Sequence, residues 1–382
     1  MKTRSQLLIL AFFVDLMVGC ALFGTISTLI LYLVKSGLSQ DIAYSIWKNY
    51  DVLLYVAALA GGAITGRYLS FRFACLVGMV SICVGYFLLA AYAAHSVEWV
   101  NIGLAFVACG AGLYDTNLKA LVNIVLDNRL QRYNGFTFLH VGDILAQIIG
   151  PLALTYVDSY SGQLRFLIAG CSVLIGLSSF AFSYTRFPNG NHLGTENRKV
   201  AINSKRVSLV FLLALLSFSL LIMQVGGLGY VLGTSCFICV VVFTFVFRSM
   251  TPMGRSRLIG LVLLMFGMLV ACICFRQIAS VLNLFTVSYV NSNLFGWVMP
   301  TGYFQSVEPL FVLLFSPFFF WLWFKLDANN KTISVGTNFA IGLIILACAF
   351  GVLVVGTQFA IHQQMAAHWL ILSSEINCFF HA

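Results

Sequence analysis

Seven side chains that can carry charge or exchange a proton stand inside or at the edge of strongly apolar runs: Asp15, Asp115, Lys119, His140, Asp143, Arg276 and Glu308. A charge at the centre of a lipid-spanning helix costs at least about 2.5 to 3.5 kcal/mol, so each is a candidate for proton coupling or gating. Asp15 lies about eight residues into its run, roughly 12 Å deep at the helical rise, where a carboxyl favours its neutral, proton-carrying form. It could carry a coupling proton or simply bond a neighbouring helix. Asp115 and Lys119 are one helical turn apart and could neutralise each other. His140 and Asp143, three residues apart, share one helical face, and the imidazole could relay a proton or serve as a hydrogen-bonded interface residue. Arg276 and Glu308 fall near the ends of successive runs, where they could form a gate.

These residues are held by a chain that has lipid as its solvent. Of 382 residues 60% are hydrophobic and only 9% charged, with a mean hydropathy of +0.96, which leaves too little polar surface for a soluble globule. The apolar residues come in successive stretches long enough to cross a hydrocarbon core of about 30 Å as helices, and too long for β-barrel strands. Spans are expected near 7–34, 48–68, 72–94, 99–122, 135–157, 163–185, 207–224, 227–247, 256–276, 303–325 and 335–360, with a short apolar piece from Trp369. That is about eleven spans and a stub. The first is too long for a signal-peptide core, so it is expected to stay.

Basic residues sort by side. Lys2, Arg4, Arg67, Arg72, Arg129, Arg132, the segment from Arg186 to Arg206, Arg248 to Arg257, Lys325 and Lys331 alternate with sparse positive charge at Lys35, Lys48, Arg165 and Arg276. Retention of Lys and Arg on the inner face predicts an inner (plasma) membrane protein with a cytoplasmic N-terminus. It also accounts for the net charge of +9 through anionic lipid rather than nucleic acid. The eleven cysteines lie almost entirely in apolar runs. Cys236 and Cys239 have CxxC spacing but no companion ligands, so they read as small hydrophobes, and no metal or cofactor is expected. No nucleophile, zinc or phosphate-loop signature points to an enzyme.

The polar segment RFPNGNHLGTENRKVAINSKR separates six spans from the rest. This suggests an all-α major facilitator architecture: a six-helix bundle (1–186), a cytoplasmic linker (187–206), two inserted helices (207–249) and an incomplete second bundle (250–382). Gly61, Gly62, Gly110 and Gly112 suit close helix approach.

Four segments carry a family resemblance: FGTISTLILYLVKSGLSQDIAYSI from Phe23, GLAFVACGAGLYDTNLKALV from Gly103, NGFTFLHVGDILAQIIGPL from Asn134, and the stretch from RQIASVLNLF at Arg276 to FQSVEPLFVLLFSP at Phe304. They resemble the first, fourth, fifth, seventh and eighth helices of the proton-dependent oligopeptide transporter family, whose bacterial members also insert two helices between halves. The resemblance implies uptake of short peptides with protons by alternating access. The rings of Tyr32, Tyr114, Tyr289, Trp297 and Phe304 could line a peptide pocket or serve as packing and interface-belt aromatics, and Asn117, Gln277, Asn283 and Gln305 are further candidates for solute contact. An amino acid or another small solute is the alternative cargo.

The departures fall on charge. The family's first-helix ExxER cluster is reduced to Asp15, Val18 and Gly19. Asp115 stands where the family has Lys, and Arg276 where it has an acid. Glu308 replaces an Asn, and His140 and Ile144 replace Tyr and Asn. The two inversions motivate a pairing of Asp115 with Arg276, which exchanging both charges would test. A complete family member would carry three helices beyond Ala360, whereas this chain stops at Ala382. A transport-inactive relic, or a half that needs a complementing fragment, is therefore a rival expectation.

Overall fold

The computed structural model describes residues 2–65, 69–126, 128–158, 161–188, 244, 247–248, 252–294, 296–328, 335–359 and 364–379. The expected inserted helices apart from 244 and 247–248, the linker beyond residue 188, Arg67 and the Cys236–Cys239 pair lie outside them. The chain divides into two compact units, Met1–Gly226 and Gly227–Ala382.

The first unit contains α1 (Lys2–Lys35), α2 (Gln40–Ile64), α3 (Phe71–Tyr92), α4 (Val97–Val125), α5 (Arg129–Asp158) and α6 (Leu164–Phe182). Every expected span of this half is a helix. The largest shift is at α2, which begins eight residues before the expected start because Ser39 caps it and accepts the Ile42 N–H. At the other end of that connection, α1 stops where Gly37 takes φ +94°, with its N–H on Val34 O and that of Leu38 on Leu33 O. A glycine supplies the left-handed turn that closes a helix this way.

Packing within the unit follows small residues. Where α3 crosses α4, a Cβ added at Gly78 would lie 2.7 Å from Gly110 O, and one at Gly85 would lie 2.7 Å from Gly103 O. The two backbones are therefore in near contact, the approach expected where apolar lipid supplies no hydrophobic drive and close packing must do so. Gly61 meets Gly112 in the same way between α2 and α4. Arg72, expected only to mark the inner face, donates Nη1 to Tyr184 O at 3.2 Å and Phe187 O at 2.8 Å and lies over the Tyr184 ring. It thereby satisfies carbonyls left open just beyond the end of α6.

The second unit contains α7 (Pro252–Ala279), α8 (Val281–Tyr289), α9 (Phe304–Ala328), α10 (Val335–Phe359) and α11 (His368–Cys378). Here the expected end near 276 is corrected. The helix runs on to Ala279, turns at Ser280 and resumes as α8, because VLNLFTVSY is itself apolar enough to stay in the bilayer. Four two-residue strands follow in pairs, β1 (Val290–Asn291) parallel to β4 (Met365–Ala366), and β2 (Asn293–Leu294) antiparallel to β3 (Trp297–Val298). Val290, Phe304, Met365, Ala367 and Leu370 form a core beside them.

Among the described residues seven helical stretches are long and apolar enough to cross a membrane: those of α1, α3, α4, α5, α6, α7–α8 and α10. The protein is a mostly helical, multi-pass membrane protein.

Candidate functional site

The polar centre of the first unit is built by the register of α1 against α5. The Phe12 ring covers Gly142 and stacks on Phe138 with centroids 4.4 Å apart, Gly19 meets Ala146, and Gly24 meets Gly150. The two helices therefore run side by side in the same direction, and Asp15 comes level with Asp143. From α4, Tyr114 donates its hydroxyl to Asp15 Oδ1 at 3.1 Å. Asp15 keeps 4% of its surface and Tyr114 1%. Among the described residues, Asp15 Oδ2 has no hydrogen-bond partner.

One turn on, Lys119 Nζ lies 2.8 Å from Asp115 Oδ1, and these side chains are 41% and 46% exposed. The short-range reading of Asp115 is thus realised within its own helix. Asp15, Asp115, Asp143 and Lys119 are close enough to act on one another electrostatically, and the exposed His140 acts on Asp143. Three formal carboxylates face one ammonium. Among the described residues, Lys119 pairs directly with Asp115 and Tyr114 donates to one oxygen of Asp15, so the cluster holds more acids than bases.

A second charged group sits at the far ends of α1 and α5, beside the start of α6. Arg165, wholly buried, forms an ion pair with Asp158, donates Nη1 to Thr28 O at 2.9 Å and lies 4.9 Å from the centroid of the Tyr32 ring. Lys35 Nζ reaches Asp158 Oδ2 at 2.7 Å. Sequence reasoning treated Lys35 and Arg165 as markers of sidedness and passed over Asp158. The available signal was an acid ending one apolar run and a base opening the next. Tyr32, expected on a solute pocket, is edge-on to Phe166 and covered by the arginine, although it also borders a cavity of about 400 Å³ with Lys35, Ser36 and Gln163.

The remaining candidates are spread out. Asn117 is buried and donates to Leu113 O of its own helix at 2.6 Å. In the second unit Arg276 occupies the last turn of α7, Gln277 is half-buried and Asn283 is buried in α8. Phe304 packs into the core, with the partly buried Gln305 next in sequence. Glu308 accepts a hydrogen bond at 2.7 Å from Asn377 Nδ2 of α11.

Residues 72–379 match the profile of the POT family. The chain belongs to the proton-dependent oligopeptide transporter (POT) family. Dipeptide and tripeptide permease A of Escherichia coli (strain K12) is 24% identical over 374 residues, which cover 95% of this chain and 73% of the permease. The crystal structure of a peptide transporter POT in complex with sulfate is alike in fold, with TM-score 0.83 at 24% identity over 98% of this chain and 79% of that one. A POT family transporter crystallised with 5-aminolevulinic acid gives TM-score 0.80 at 25% identity, over 98% and 81%. Set against the POT pattern, the altered charges at Asp15 and Asp115 fall together in one cluster of the first unit.

Proposed function

We propose that this POT-family chain imports dipeptides and tripeptides with protons by alternating access across the inner membrane, with its N-terminus in the cytoplasm. The observation that carries the reading is the Asp15–Asp115–Asp143 cluster: three carboxylates and one lysine in the polar centre of a membrane unit take up cations, and a proton is the smallest of them. Asp15 and Asp143 are the acids assigned to that proton, with His140 as its relay toward water. In the second unit, Arg276 and Glu308 are assigned to gating, while Gln277, Asn283 and Gln305 are assigned to solute contact. The cytoplasmic N-terminus follows from Arg4, Arg72, Arg132 and Arg186 on one side of the first bundle, where positive residues are retained.

Amino acids are the second cargo class, favoured by the relative that was crystallised with 5-aminolevulinic acid. Uptake of labelled dialanine into vesicles holding the purified protein decides between these readings. An acid-outside gradient is expected to drive accumulation severalfold above the gradient-free level. Uptake that ignores the gradient removes proton coupling, and absent uptake removes peptide as cargo.

A further inference from the structure

We infer that the cluster formed by Asp15, Asp115, Asp143 and Lys119 is the subsite for a primary ammonium group of the transported solute, with Asp15 Oδ2 as its principal acceptor. The inference rests on the transporter reading and adds to it the chemical class that the first unit recognises.

Formal charge gives the first step. With the exposed His140 neutral, three carboxylates against one lysine leave two negative charges in excess, in surroundings where an uncompensated charge is costly. One coupling proton removes half of that excess. A second monovalent cation removes the rest, so the cluster is balanced when it holds a proton and an ammonium together. A peptide amino terminus carries one such charge. Proton and solute are then bound as a pair because neither alone neutralises the site.

Hydrogen bonding gives an independent second step. Asp15 is 4% exposed and its Oδ1 is already taken by Tyr114, yet Oδ2 has no partner among the described residues. A buried acceptor left unsatisfied costs about 1–3 kcal/mol, which a ligand donor recovers. The groups around it do not fill that role: Tyr114 has spent its one hydroxyl proton on Oδ1, Lys119 is bonded to Asp115, and Asp143 is a like charge from α5. An ammonium brings three donors on a compact centre, enough to serve Asp15 Oδ2 and a second carboxylate at once. The half-exposed Asp115 and Lys119 give that group a way in from the surface of the unit.

The test measures binding of four probes to the purified full chain: dialanine, N-acetyl-dialanine, n-butylamine and sodium chloride. Capping the amine should weaken dialanine binding at least about tenfold, equivalent to about 1.4 kcal/mol. The difference should vanish in Asp15→Asn and shrink in Asp143→Asn. Equal binding of the capped and free dipeptides overturns the inference, and so does a difference that survives in both variants. The comparison of capped with free dipeptide on the unaltered protein needs no variant to fold. If neither dipeptide binds but n-butylamine does, and loses affinity in both variants, the peptide reading falls and the ammonium subsite stands. If n-butylamine also fails to bind, the subsite falls. Sodium that displaces n-butylamine at equal concentration identifies an inorganic-cation site and overturns the assignment to the solute.

Discussion

Two charged groups of the first unit, both built on α1 and α5, differ in how far their charges are answered. At the ends of α1 and α5 and the start of α6, Arg165 and Lys35 both pair with Asp158, and Arg165 also donates to Thr28 O and lies over the Tyr32 ring. Near the middle, among the described residues, Asp15 and Asp143 form no ion pair, and Lys119 is engaged by Asp115. A buried charge whose partners come from the same unit holds that unit together. One whose partner is missing is poised to receive something. The contrast separates structure from function more sharply than burial does, since Arg165 is even more deeply buried than Asp15.

The largest effect expected from breaking the contrast is at the closed group. Asp158→Asn strands the buried Arg165 guanidinium, at a cost of about 3–5 kcal/mol. The melting temperature in detergent should fall by many degrees, and transport should go with it. Asp158→Leu combined with Arg165→Leu, which removes both charges, should recover most of the lost stability. Failure of that double variant to recover would mean the pair does more than balance charge.

At the open group the signs reverse. Asp15→Asn removes an unanswered carboxylate without removing volume, so stability should stay within about 1 kcal/mol, because a neutral amide is less costly to bury than a charge. Gradient-driven dialanine uptake should nevertheless drop at least about tenfold. Intact uptake in this variant would move the coupling proton elsewhere. Tyr114→Phe should act between these extremes. It takes away the hydrogen bond to Asp15 Oδ1 and should destabilise by about 1–3 kcal/mol, measured as a shift in the unfolding midpoint.

The two groups also differ in how much of them the sequence discloses. Helix positions in the first unit were legible from apolar run length, and the Asp115–Lys119 pair from spacing of one turn, because both are local properties. Asp15 and Asp143 were legible as isolated acids in apolar surroundings, but their juxtaposition was not. It arises from the α1–α5 register, set by Gly19 against Ala146 and Gly24 against Gly150, contacts more than a hundred residues apart in the chain. Tyr114 was singled out for its ring, while its hydroxyl does the bonding. The closed group was missed for the opposite reason: Lys35 and Arg165 each had a sufficient explanation as sidedness markers, which hid the acid between them. In the second unit the resumption of helix after Ser280 was missed because one polar pair, Arg276 and Gln277, read as an end.

The smallest effect on stability is expected at Lys119, and its direction carries the most information. The Lys119–Asp115 pair is half-exposed and lies within one helix, so Lys119→Gln should cost only about 0.3–0.5 kcal/mol. Its effect on binding follows from sign. The substitution raises the formal excess of the cluster from two negative charges to three, so an ammonium probe such as n-butylamine should bind a few-fold more tightly. Asp115→Asn, which lowers the excess to one, should weaken the same probe. A site built for a carboxylate would behave in the reverse sense, since it would rely on the Lys119 ammonium. Titrating n-butylamine against the two variants therefore distinguishes an open group that awaits a cation from one that awaits an anion, using substitutions that barely disturb the helix on which both residues stand.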